Sequence, residues 1–197
     1  MIIGTIGVGH LATTIITGLL GSGIEPQAIL LSPRGKARAL SRTTGIPLAN
    51  DNRDLVERSD IVLVAVRPAD ATAAVAGLPW RAGQTVISCC AGVALDSLVV
   101  APANGVRAMP LTAAEINASP TACFPPHPEA IALLDRLGPV IPLASEADFE
   151  VATVNAAVYG WAQDLIRRTA EWSAGKGPRL DAMRRLTALT FVAAGRL

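Results

Sequence analysis

Ile2-Ile3-Gly4-Thr5-Ile6-Gly7-Val8-Gly9-His10-Leu11-Ala12 leads directly into Thr13-Thr14-Ile15-Ile16-Thr17-Gly18-Leu19-Leu20. An apolar segment of strand length is followed by two glycines and then by residues of helical character. This is the Gly-x-Gly-x-x-Ala fingerprint in the strand–turn–helix context that gives the motif its meaning. Gly7 permits the turn, Gly9 lets backbone approach a pyrophosphate, and Ala12 lets the helix lie close on the strand. The helix start offers unpaired N–H donors to the phosphates. A glycine-rich turn before an ordinary helix is the plain alternative, and the flanking strand and helix argue against it.

Working outward, strand and helix signals alternate along the first 145 residues. Strands are expected at 28–32, 61–66, 85–88 and 106–109, with an outer strand at 121–124 and a last one at 140–143. Helical stretches are expected at 36–43, 52–58, 68–76 and 129–137. Strands alternating with helices of this length imply βαβ units. The expected fold class is α/β, a Rossmann-type, doubly wound, mostly parallel sheet followed by a small all-helical domain. The expected domains are 1–145 for dinucleotide (NADP) binding and 146–197 for substrate binding and dimerisation.

After Ser145 the periodicity changes. Val151, Val154, Val158, Trp161 and Leu165 recur at alternating spacings of three and four, which places them on one helical stripe. Ser145, with Asp148 three residues on, reads as a helix start. Gly175-Lys176-Gly177-Pro178 breaks the pattern, and a second helix over 180–194 presents Met183, Leu186 and Leu189. Two helices cannot bury that much apolar surface alone. A homodimer through them is therefore expected, the alternative being that they cover one end of a monomer.

Composition excludes several classes. The 197 residues carry a net charge of +1 and 17% charged side chains, so no basic field points to nucleic acid. Aromatic residues are only 4%, leaving few platforms for stacked bases. The mean hydropathy of +0.42 suits parallel strands covered on both faces. No apolar run approaches the ~20 residues of a membrane helix, and no basic segment precedes the first apolar one, so neither membrane nor signal peptide is expected. Cys89, Cys90 and Cys123 form no Cys-x-x-Cys pair and are odd in number, which fits a reducing cytoplasm. His10 and His127 lack ligand spacing, and no metal is expected.

Cofactor choice turns on the end of the second strand. A fold preferring NAD places Asp or Glu there for the ribose 2′-hydroxyl. Here the place holds Ser32-Pro33-Arg34-Gly35-Lys36, a hydroxyl and two cations. A 2′-phosphate calls for charge-assisted donors, so NADP(H) is expected ahead of NAD(H). A solvated basic turn is the alternative.

Several stretches together resemble pyrroline-5-carboxylate reductase. They are residues 3–12, Ser32-Pro33-Arg34, Ala65-Val66-Arg67-Pro68, Ile87-Ser88-Cys89-Cys90-Ala91-Gly92-Val93 and Val106-Arg107-Ala108-Met109-Pro110-Leu111-Thr112. In that family these read as the phosphate loop, a Ser-x-Arg NADP signal, Val-Lys-Pro, Ser-x-x-Ala-Gly-Ile and Arg-x-Met-Pro-Asn-Thr. The family reduces a five-membered cyclic imine to L-proline with NADPH or NADH, as an oligomer built on helical-domain dimers. The resemblance implies that Gly7, Val8, Gly9, His10 and Leu11 wrap the pyrophosphate. It further implies that Ser32 and Arg34, with Lys36 beside them, meet the 2′-phosphate. Ala65, Val66, Arg67 and Pro68 would line the cofactor near its ribose and nicotinamide. Ala91 and Gly92 would lie near the nicotinamide, and Met109 and Pro110 beside the reacting centre.

The departures bear on catalysis. His10 replaces an Asn, and Leu111 stands where the family carries Asn. The family's Ser-Gly-Ser-Gly-Pro-Ala stretch, which helps hold the substrate carboxylate, is replaced by Val154-Asn155-Ala156-Ala157-Val158-Tyr159, which should run on as plain helix. The family's following glycine- and threonine-rich segment has no counterpart before Leu197. A protonated imine needs no dedicated general acid, because hydride transfer to it is mostly positioning. No catalytic residue is therefore assigned, and Thr112, Asn155 and Tyr159 are the candidates. The expected function is an NADP-dependent reductase of a cyclic imine or related carbonyl compound. The alternative is an NADP(H)-binding regulatory or sensor protein without turnover.

Overall fold

The structure, a computed structural model, describes residues 1–196; Leu197, the end of the expected helical domain, lies outside them. The chain divides into two compact units, Met1–Ala152 and Thr153–Leu197. The first holds a seven-stranded sheet in the order β2-β1-β3-β4-β5-β6-β7. Its strands are β1 (Ile3–Ile6), β2 (Ile29–Leu31), β3 (Ile61–Val64), β4 (Thr85–Ser88), β5 (Asn104–Met109), β6 (Thr121–Phe124) and β7 (Val140–Pro142). The strands from β2 to β5 are mutually parallel; β6 runs antiparallel to β5, and β7 parallel to β6. The expected outer strand at 121–124 is thus covered by β7, which takes the edge.

Along β3, Ile61 and Leu63 join the core on one side of the sheet and Val62 and Val64 the core on the other. Burial on both faces is why this strand is continuously apolar instead of alternating. Helix α1 (His10–Gly21) turns Ala12, Ile15, Ile16 and Leu19 inward, the i, i+3, i+4, i+7 stripe of a helix that covers a sheet. Helix α2 spans Ala37–Thr44. Helix α3 (Asn52–Arg58) is capped by Asp51, whose carboxylate accepts from the Asp54 amide at 2.8 Å. Pro68–Asp70 forms a 3-10 turn before the short α4 (Ala71–Val75), where one helix over 68–76 was expected. Pro68 stands at the start of that turn, where its fixed φ suits a helical opening and its missing N–H costs nothing. Helix α5 is Pro128–Leu134.

Helix α6 (Glu146–Ala152) starts where Ser145 Oγ accepts from the Asp148 amide at 3.1 Å. It belongs to the first unit, so the division between units falls later in the chain than the expected boundary after 145. The second unit is α7 (Val154–Ala174) packed with α8 (Leu180–Ala194). The stripe expected on one helix is therefore split by a turn at Thr153: Val151 lies on α6 and the other four residues on α7. A single non-helical residue leaves the spacing of apolar side chains unchanged, which is why periodicity misses it. No helix among the described residues is long and apolar enough to cross a membrane.

Candidate functional site

The loop after β1 is built by backbone constraints. Gly7 has φ +87°, and a Cβ there would lie 2.5 Å from Val66 Cγ1 and 2.9 Å from the Ala65 carbonyl oxygen. Only glycine fits a left-handed residue pressed against the end of the neighbouring strand. The Gly7 amide donates to Ser32 Oγ at 3.1 Å, and the Ser32 amide donates to the Thr5 carbonyl at 3.0 Å, so the ends of β1 and β2 are tied together. The basic turn is tied in as well: the Lys36 amide donates to the Val8 carbonyl at 2.9 Å. Gly35, at φ +66°, would bring a Cβ to within 2.6 Å of that same oxygen.

Helix α1 opens at Gly9 with no side-chain cap and no acidic residue in its first turn. Its leading amides therefore lack both an intrahelical acceptor and a covering side chain. A Cβ built on Gly9 meets nothing within 4 Å, so no neighbouring group crowds the backbone at that residue. That is the shape and polarity a diphosphate needs.

Because β2, β1, β3, β4 and β5 are parallel, the segments following them all emerge at one edge of the sheet. The register brings Ile6 beside Val64, Val64 beside Ser88 and Ser88 beside Arg107. The edge thus gathers Gly7–Leu11, Ser32–Lys36, Ala65–Pro68, Ala91 and Gly92, Met109 and Pro110, and Thr112. Strand order reverses across β1, and the crevice between β1 and β3 is where open sheets of this order bind ligands. Val8, Ser32 and Pro110 are buried; Leu11, Ala65, Val66, Met109 and Thr112 are half-buried; Gly9, His10, Arg34, Lys36, Arg67, Pro68, Ala91 and Gly92 are exposed. Val8 sits in the core, leaving only its backbone for a ligand.

At this edge lies a cleft of about 550 Å³ bordered by Gly7, Ser32, Arg34, Val66 and Arg67. Neither Arg34 nor Lys36 has an ion-pair partner among the described residues, whereas Arg67 Nε holds Asp70 Oδ2 at 2.9 Å. The cleft is also bordered by Asn52 and Asp70, which sequence reasoning passed over. Asn and Asp near helix starts read as caps, and that ordinary meaning hides a position facing a cavity. Asn155 and Tyr159 lie on α7, in the other unit; Tyr159 Oη accepts from Gln163 Nε2 at 2.7 Å.

Arg107 was read only as part of a motif, yet it anchors the end of β5. It is 1% exposed, pairs with Glu146 Oε1 at 2.7 Å and with Glu150 Oε1, and stacks 4.4 Å from the centroid of Phe149. Its second terminal nitrogen is buried without a partner. Glu146 also accepts from the Leu95 amide at 2.8 Å. That amide, helped by Arg107 and opposed by burial, holds the Glu146 carboxyl below its usual range. The thiols are free, and burial, with Cys90 and Cys123 nearby, pushes Cys89 up to about 12.

The family model described as "NADP oxidoreductase coenzyme F420-dependent" matches residues 2–92. A pyrroline-5-carboxylate reductase of Vibrio alginolyticus is 29% identical over 150 residues, covering 68% of this chain and 55% of that protein. The chain spans about half the length of the curated relatives it matches. Among solved structures, 1-pyrroline-5-carboxylate reductase from Streptococcus pyogenes superposes with a TM-score of 0.82 at 25% identity, covering 100% of this chain and 78% of that one. The Plasmodium falciparum pyrroline carboxylate reductase, solved with NADP bound, gives a TM-score of 0.84 with the same coverages; at 17% identity that likeness is one of fold. In sequence and in fold alike, this chain is similar to the pyrroline-5-carboxylate reductases.

Proposed function

We propose that the protein is an NADPH-dependent reductase whose substrate is a cyclic imine or a related C=N or C=O compound. The observation that carries this reading is the uncapped start of α1, with nothing crowding Gly9, set beside a cleft that Arg34 borders with no ion pair among the described residues. In this reading the α1 amides hold the diphosphate and Arg34, with Lys36 near it, takes the 2′-phosphate. Ser32 steadies the loop through the Gly7 amide. Ala65–Pro68 would line the cofactor near its ribose and nicotinamide, Ala91 and Gly92 would lie near the nicotinamide, and Met109 and Pro110 beside the reacting centre. Bound there, the reduced nicotinamide supplies a hydride to an already electrophilic carbon. The residues' task is then to orient and to exclude water rather than to move protons. Thr112 stands at the same edge as a hydrogen-bonding group; Asn155 and Tyr159, on α7, are the further candidates for a part in catalysis.

A homodimer through α7 and α8 belongs to the same proposal, since Val154, Val158, Trp161, Leu165, Leu186 and Leu189 are all exposed in the single chain. Free thiols suit a reducing compartment, and the cytoplasm is the proposed location. The test is spectrophotometric. Pyrroline-5-carboxylate, or another cyclic imine in a panel, should drive oxidation of NADPH. A flat trace across imines and carbonyls, from protein that binds NADPH, would support the second reading, a coenzyme-binding sensor. One observation favours that reading: α7 runs unbroken from Val154, with no glycine-rich interruption to hold a substrate carboxylate.

A further inference from the structure

Arg34 and Arg67 border the same cleft but differ in what they face. Arg34 has no ion pair among the described residues, while Arg67 is held by Asp70 at 2.9 Å. Asp70 sits at the N-cap of α4, yet its side chain makes no capping hydrogen bond. Its carboxylate is therefore not spent on the helix; it is spent on Arg67. Both partners are solvated, with 86% of the Arg67 side chain and 50% of the Asp70 side chain exposed. Such a pair contributes little to stability. What it does change is the field inside the cleft, where a carboxylate opposes any incoming phosphate and cancels one of the two guanidinium charges.

We infer that Asp70 is a specificity-determining residue of the cleft, restraining Arg67 so that one guanidinium, not two, meets the 2′-phosphate of the coenzyme. The inference rests on the cofactor reading proposed above. It makes the present preference for the phosphorylated coenzyme a tempered one, set by Arg34 and limited by Asp70. A dinucleotide lacking the 2′-phosphate brings only its diphosphate, which the α1 amides hold, so Asp70 weighs less on its binding.

Calorimetric titration of NADPH and NADH into the whole protein, into Asp70→Asn, and into Asp70→Asn with Arg67→Ala tests this. Asp70→Asn should tighten NADPH by about three- to tenfold, with NADH unchanged to within about twofold. The gain should shrink as salt is raised. Adding Arg67→Ala should abolish it. An NADPH affinity unmoved by Asp70→Asn, or a gain that survives loss of Arg67, overturns the inference. So does a selective loss of NADH binding in Asp70→Asn, which would make the carboxylate a ribose acceptor. Wild-type protein that is folded by circular dichroism yet takes up neither coenzyme overturns the reading of the cleft and the role of Asp70 with it.

Discussion

At the residue scale, the edge of the sheet holds exposed side chains facing a cleft beside buried ones that tie the loops together. Ser32 is buried, with its oxygen already accepting from Gly7, whereas Arg34 is exposed and has no ion pair among the described residues. The two substitutions should therefore differ in kind. Arg34→Ala should bring NADPH affinity down to that of NADH, erasing the preference. Ser32→Ala should weaken both coenzymes by a similar factor, about tenfold for one lost hydrogen bond in the loop. Parallel titrations with the two coenzymes distinguish these outcomes, and a Ser32→Ala loss confined to NADPH would instead make the hydroxyl a phosphate ligand. The Gly-x-Gly-x-x-Ala pattern was legible because glycine is the one residue whose absence of a side chain is itself the signal. Gly35 escaped notice because its close approach is to Val8, across a gap in sequence that spacing does not measure.

At the element scale, the feature of most consequence is how Arg107 fastens α6 to the end of β5. A buried guanidinium shared between two carboxylates is costly to break from one side, since the remaining charges lose their partner. Arg107→Ala should lower stability by about 2–4 kcal/mol, read as a fall in Tm, and should speed hydrogen exchange across 146–152. Glu146 adds a pH dependence of definite sign. Its carboxyl is held below the ordinary value of 4.5, so its contribution is complete above that value. The contribution is lost as pH falls through the lowered one. Glu146→Gln should flatten the decline in Tm on the acid side, and an unchanged acid profile would show that the clamp does not depend on that charge. Neither half of this contact is visible in the sequence: Arg107 stands within a motif, no pattern singles out Glu146, and only folding brings them within 2.7 Å.

At the scale of the whole molecule, the helical unit leaves a face that water alone would cover. Trp161 is 70% exposed and Leu165 53%, on a helix whose charged residues Asp164, Arg167, Arg168 and Glu171 pair with one another. Burial of a side chain the size of Trp against a second copy contributes about 2–3 kcal/mol, enough to matter in an association equilibrium. Light scattering should show a dimer, and Trp161→Glu should shift it to monomer without altering NADPH binding by the sheet unit. A wild-type monomer at micromolar concentration would refute the dimer. The parallel sheet, the glycine turn between β1 and α1 and the likeness to the reductases were legible in the chain alone, because periodicity, glycines and short motifs are local and survive in one dimension. Tertiary structure alone decided that Asn52 and Asp70 border the same cleft as Arg34, that the stripe breaks at Thr153, and that Arg107 is spent on α6. Those facts depend on side chains far apart in the chain meeting in space, and no local pattern encodes such a meeting.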